Sequence, residues 1–323
     1  MDMEGHVLHT WRYDGAQGLW PDVDMPEHMS HWRRVHWYPN GDILAIYEGA
    51  GMIKLDKGSN LLGHAYIQPH HDLDVDENGR IHVLTRGMAI VTEVNGGKPF
   101  LDDHVTVIAP DGTVIEAHSL VHLFLRSPYR NVPVPNRSDG DIFHTNTIQI
   151  LDGRHAAIDD VFRKGNVLVS ILHIDTRAIV DLDKRAIVWA VSGQRTGKWH
   201  HQHEPVLLDN GNMLLFDNNR RLGASKILEF EPLTGKEIWA YRGTEADPFY
   251  SKTCGTNQRF PNGNTLITES DYGRAFEVTR DGEKVWEYIN PHRAGEQDEL
   301  IATLLDVVRI APSDVAWLSK TNP

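Results

Sequence analysis

Apolar and polar residues alternate along most of the chain in short runs, the period of half-buried β-strands, and the runs are divided by turn residues. One phrase recurs: a short strand, a Pro/Asp-Asn-Gly turn, then a second apolar strand. It reads WYPNGDILAIY at 37–47, LDVDENGRIHVLT at 73–85, LLDNGNMLLFD at 207–217 and RFPNGNTLITE at 259–269, with a weaker copy IQILDGRHAAID at 148–159. Asn-Gly and Asp-Gly tolerate the positive φ of a tight hairpin turn, so each copy predicts a β-hairpin. A second phrase follows the first, often ending in tryptophan: VIAPDGTVIEAHSL (107–120), HIDTRAIVDLDKRAIVWAVSG (173–193), ILEFEPLTGKEIWAYRG (227–243) and AFEVTRDGEKVWEYI (275–289).

Two consecutive hairpins make a four-stranded antiparallel unit, the blade of a propeller. Units fall at 32–68, 69–120, 143–193, 200–243 and 255–291. Residues 1–13 read as a second half standing alone, and residues 304–319 as its missing first half. The count predicts an all-β, six-bladed β-propeller, one domain over 1–323, whose N- and C-terminal strands share the closing blade. A pair of β-sandwiches would not explain a half-unit at each end. Trp11, Trp189, Trp239 and Trp286, at the repeat ends, are expected to pack blades together. Residues 121–142, with three prolines and three arginines, exceed an ordinary hairpin loop. A surface excursion is the simpler account. The functional one is a flap over one face of the ring, with Arg126, Arg130 or Arg137 adding positive charge.

Composition narrows the classes. The 323 residues are 40% hydrophobic, as in a globular chain, with a formal net charge of −13 that repels phosphate backbones, so no nucleic acid is expected as a partner. No apolar run approaches the roughly 20 residues that span a bilayer, so no membrane is expected either. Cys254 is the only cysteine and makes no internal disulfide. Residues 1–9, MDMEGHVLH, lack the basic and apolar regions of a leader. As written the chain is expected to be cytoplasmic, and periplasmic if a leader has been removed. Nothing in the sequence specifies an oligomeric state.

Histidine is the odd entry, with 19 residues. Counting back from each turn glycine gives a register: His71 is eight residues before Gly79, His203 eight before Gly211 and His144 nine before Gly153. Arg33 stands eight before Gly41, and Gly255 eight before Gly263. The innermost strand of a blade lines the central channel, so these positions are expected to converge at one level. Two chemistries suit histidines there. Neutral imidazole serves as nucleophile or base, oriented through its second nitrogen. Alternatively, His71, His144 and His203 hold a divalent transition metal with an open position.

The His-Thr-Asn of residues 144–146, the WHHQHE of 199–204 followed by LLDNGNMLLFDN, and NQRFPNGNTLITES with its later VWEY resemble the bacterial arylsulfate sulfotransferase family. The likeness covers most of residues 1–310. It implies a six-bladed propeller that moves a sulfuryl group from an aryl sulfate to a phenol, ping-pong through a sulfated histidine, with no nucleotide donor and no cofactor. The partner implied is a small aromatic substrate. On this resemblance His203 is the nucleophile, His144 and Asn146 bind sulfate oxygens, and His71 assists at the phenol oxygen. Thr145, Arg33 and Asn257 join Asn146 as substrate-binding residues. One residue departs from the pattern: Leu172 stands where the family carries an arginine, so either Arg33 or Arg34 supplies the charge or the chain does not bind sulfate in that way. Three readings therefore stand at this point: an arylsulfotransferase-like enzyme, a metal-dependent hydrolase or lyase with Glu204 or Asp72 as base, and a non-catalytic binding propeller.

Overall fold

A computed structural model describes residues 1–20, 31–131 and 140–318. It contains five four-stranded antiparallel sheets with strands in meander order, and one two-stranded ribbon. The first sheet comprises β1 (Val35–Trp37), β2 (Ile43–Tyr47), β3 (Gly51–Leu55) and β4 (Leu61–Tyr66). The second comprises β5 (Pro69–Val75), β6 (Ile81–Ile90), β7 (Pro99–Ile108) and β8 (Val114–Ser119). The third has β9 (Thr145–Ile150), β10 (Val167–Ile171), β11 (Thr176–Asp181) and β12 (Ala186–Ser192). The fourth has β13 (His203–Leu207), β14 (Met213–Asp217), β15 (Lys226–Phe230) and β16 (Glu237–Arg242). The fifth has β17 (Thr256–Arg259), β18 (Thr265–Glu269), β19 (Arg274–Val278) and β20 (Lys284–Ile289), and the ribbon pairs β21 (Arg293–Ala294) with β22 (Leu300–Ile301).

The chain divides into two compact units. One is Met1–Gly87, His104–Ala117 and Arg309–Pro323, and the other is Met88–Asp103 with His118–Val308. The sheets are blades of the propeller type, and among the described residues there are five of them, not the six expected. The pairing predicted between residues 1–13 and 304–319 does not form: the described part of these segments holds no strand, only the 3-10 turn Pro312–Val315. The physical reason lies in their apolar positions, which alternate without finding a face to bury. Val7 and Leu8 are 74% and 54% exposed. The two ends meet through aromatic edges instead. Trp11 and Trp317 approach to 6.0 Å between ring centroids, His9 touches both, and Trp11 Nε1 donates to the Gly41 carbonyl. Residue 319 of the expected closing strand lies outside the described residues.

Position within a blade decides the strand pattern. The second strands β2, β14 and β18 are buried at every residue, as are β10 and β11, and they are mostly apolar, with a few buried polar residues such as Arg177 and Asp181. The outer strands β4 and β20 alternate intermediate and exposed residues, the pattern of a sheet edge with one solvated face. The long insertion opens within a turn of helix, α1 (Leu120–Leu125), capped by Ser119 and burying Leu120, Val121, Leu123 and Phe124. The insertion thus begins as packed structure. Arg126 and Arg130 lie on this described part, while Arg137 lies outside the described residues.

In the second unit, the third and fourth blades clasp a buried cation. Arg177 on β11 is 1% exposed, and its guanidinium carbon lies 4.0 Å from the Trp199 ring centroid, 4.2 Å from Phe230 and 5.6 Å from Trp189. Nη1 donates to the sulfur of Met213. Among the described residues no carboxylate pairs with it, and burial draws its pKa down to about 9. Aromatic faces are its compensation for lost water. Arg177→Ala should therefore lower stability by about 3 kcal/mol through the void between blades. Arg177→Met, which fills the space without a charge, should stay within about 1 kcal/mol of the parent. Urea denaturation of the two variants checks this.

Candidate functional site

The site is built on the inner strands of the second unit. β9, β13 and β17 open with Thr145-Asn146-Thr147, His203-Glu204 and Thr256-Asn257. At these openings the ladders are irregular. The register slips between Ser170 and Ile171 against β9, and between His203 and Val206 against β14. Main-chain groups freed by the slips are taken up by side chains of the next blade. Asn146 Nδ2 donates to the Gln202 carbonyl at 2.9 Å, Thr147 Oγ1 accepts from Glu204 N at 3.0 Å, and Asn257 Nδ2 donates to the Glu204 carbonyl at 2.9 Å. Gln202 reaches back with Nε2 to Ser170 Oγ, Ile171 O and Thr176 O. His144, His201, Glu204 and Cys254 all have positive φ between 45° and 57°, a conformation that costs a non-glycine residue about 1 kcal/mol or more. Such strain gathers where side chains must be aimed against local preference.

Two imidazole–carboxylate groups result. In the first, His144 Nδ1 lies 2.5 Å from Asp141 Oδ2, and His173 Nδ1 lies 2.7 Å from the Asp141 carbonyl oxygen. The His144 and His173 rings are 4.8 Å apart. In the second, His200 and His201 stack at 4.1 Å, and His201 N donates to Asp175 Oδ1 at 2.6 Å. His173 and His201 link the groups at 6.3 Å between ring centroids. Arg220 Nη1 meets His201 Nδ1 at 3.2 Å. Guanidinium can only donate, so His201 Nδ1 accepts and the ring is neutral. Burial first, then the charges of His200 and Arg220, pull the His201 pKa down to about 3. Burial lowers His200 and raises Asp175 for the same reason.

His203 is held differently. Its Nδ1 lies 2.7 Å from Asn218 Oδ1. Asn218 Nδ2 donates to Ser251 O and Cys254 O at 2.9 and 2.7 Å, which fixes which end of the amide is oxygen. His203 then donates from Nδ1, and in its neutral form the lone pair is on Nε2.

The residues singled out from sequence are distributed as follows. Asn146, Asn257 and His203 join one network through Gln202 and Glu204, and His144 belongs to the Asp141 group. Thr145 is fully buried, its N–H on Asp103 Oδ2 at 2.6 Å. Leu172 is a buried packing residue whose N–H donates to the His144 carbonyl, so no charge enters the site from that position. In the first unit, His71 and Arg33 share Glu48, at 3.4 and 3.3 Å, and Arg34 pairs with Asp72 at 2.6 Å. Sequence reasoning missed Asp141, His173, Asp175, Asn218 and Arg220 as site residues. It also treated His200 and His201 only as neighbours of His203. The Asp-x-x-His of 141–144 and the His-x-Asp of 173–175 were the available signals.

A family model described as Arylsulfotransferase (ASST) matches residues 54–291. Among solved structures, the chain is similar to the Dos1 propeller, at 10% identity over 82% of this chain and 59% of that one, with a TM-score of 0.46. It is also similar to virginiamycin B lyase from Staphylococcus aureus, at 11% identity over 84% and 73% of the two chains and a TM-score of 0.47. A streptogramin B lyase matches at 15% identity over 79% and 67%, also with a TM-score of 0.47. No curated protein sequence matches the chain.

Beneath the histidines, Asp217 accepts from His200 N and Asn219 N and faces Lys226 at 3.4 Å. Burial pushes its pKa up to about 6. The folded state therefore takes up this proton before the unfolded chain does, and acidification from about pH 6 to pH 4 favours folding through this group. Asparagine keeps the two main-chain bonds and cannot titrate. The stability of Asp217→Asn relative to the parent should be about 2 kcal/mol more favourable at pH 7 than at pH 4, as read by denaturation at both pH values.

Proposed function

The chain belongs to the arylsulfotransferase family, and from that membership and the His203 geometry we propose that it transfers a sulfuryl group from an aryl sulfate to a phenolic acceptor through His203. The observation that carries this reading is the fixed tautomer. A nucleophilic imidazole must be neutral, with its lone pair on the attacking nitrogen. The Asn218 amide, locked by two carbonyls, accepts from Nδ1, so the neutral ring carries its lone pair on Nε2.

In the first half-reaction Nε2 attacks sulfur, the S–N bond forms as the S–O(aryl) bond breaks, and the phenolate departs. The imidazolium so formed keeps its Nδ1–H on Asn218. In the second half-reaction the acceptor phenol oxygen attacks sulfur, the S–N bond breaks, and the phenol proton passes to a neutral imidazole of the cluster. Negative charge spreads over the equatorial oxygens in both transition states and needs preorganised donors. Asn146 takes that role in this reading, with the Arg220 guanidinium, at His201, as the fixed positive charge of this cluster.

His203→Ala should abolish release of nitrophenolate from 4-nitrophenyl sulfate and the acid-labile gain of one SO3 on the peptide carrying His203. Asn218→Leu frees the tautomer while retaining Nε2, and should lower kcat roughly 100-fold. Full turnover by His203→Ala, measured by absorbance and peptide mass, would sink the proposal.

A further inference from the structure

The Asp141, His144 and His173 group has the composition of a cation site, a role that sulfuryl transfer through His203 does not call for. One carboxylate oxygen and two imidazole nitrogens lie within 4.8 Å of one another, and their side chains are 18%, 27% and 8% exposed. Small side-chain rotations close that spread to the ~2.0–2.2 Å bonds of a transition metal. The donors are held by main-chain bonds. His173 N donates to the Phe143 carbonyl, Leu172 N to the His144 carbonyl, and Leu101 bridges Asp141. The His144 backbone is fixed at a φ of 52°. His173 donates Nδ1–H to the Asp141 carbonyl, the kind of second hydrogen bond by which proteins orient ligating imidazoles.

The neighbouring Asp175, His200 and His201 group satisfies the same distance criterion. It is the poorer cation site on electrostatic grounds. Arg220 donates directly to His201, and Arg221 adds positive charge felt by Asp175 and His200. A further cation there would be repelled, whereas the Asp141 group offers a carboxylate beside its two rings.

We propose that Asp141, His144 and His173 bind one divalent transition metal ion. Two imidazoles and a carboxylate favour Zn2+, Co2+, Fe2+ or Ni2+ over Mg2+ or Ca2+, which prefer all-oxygen sites. Three protein donors leave coordination positions for water or for a small anion. The inference goes beyond the sulfuryl-transfer reading and does not rest on it.

The test uses the full chain, stripped with a chelator, with no aryl sulfate present, so its outcome is independent of His203 chemistry. Titration with Co2+ should give one equivalent per chain with visible d–d absorption, and competing Zn2+ should displace it and raise the melting temperature. His173→Ala and Asp141→Asn should each bind at least tenfold more weakly and lose the Zn2+-induced melting shift. His173→Gln, closer in size, serves as the second variant if the alanine unfolds. His200→Ala should bind within about twofold of the parent. Absence of stoichiometric binding by the parent would overturn the proposal, as would binding that survives in the His173 variants or disappears in His200→Ala.

Discussion

Backbone hydrogen bonding across the gaps between blades is the constraint on which the second unit depends. A blade satisfies its own ladder, but its innermost strand has an edge with no fourth-strand neighbour. Unpaired N–H and C=O groups there, shut away from water, would cost about 1–3 kcal/mol each. Asn146, Thr147, Gln149 and Asn257 meet that demand by bonding to main-chain atoms of the adjacent blade. They fix the height at which β9, β13 and β17 stand. The slips in register beside them turn His144 and His203 out of the regular alternation.

The same geometry explains the chemistry. Residues diverted from the ladder lie in a low-dielectric setting, where burial penalises charge. His201 is held neutral, Asp217 holds its proton up to about pH 6, and Asp175 is pushed the same way. A neutral imidazole such as His201 gives no permanent charge to an anion. Arg220, on the loop between β14 and β15, supplies charge where Leu172 does not.

Much of the blade architecture was legible because it depends on neighbours in sequence. At Gly41, Gly79, Gly211 and Gly263 the positive φ demanded by an Asn-Gly turn is observed, and each closes a hairpin. Trp189 is buried between the third and fourth blades as a packing residue. The closing blade failed for want of a long-range partner. Residues 1–13 and 304–318 carry strand-like alternation, yet their contacts run through Trp11 and Trp317 edges and not through a ladder. The histidine register was a count of a different kind. Counting from turn glycines assumes an unbroken strand, and the slips at Ser170 and His203 break it at the site. Asp141, His173 and His201, which lie outside that count, were invisible to it.

By itself the sequence determined the elements: all-β hairpins, apolar second strands, alternating outer strands and the turns that join them. These follow from steric preferences of a few adjacent residues and from a period of two. Tertiary structure alone decided the number of blades, the pairing of His144 with Asp141, the tautomer of His203 and the meeting of Arg220 with His201. Each of those joins residues through the satisfaction of buried polar groups, and no local pattern records which distant atom will do the satisfying.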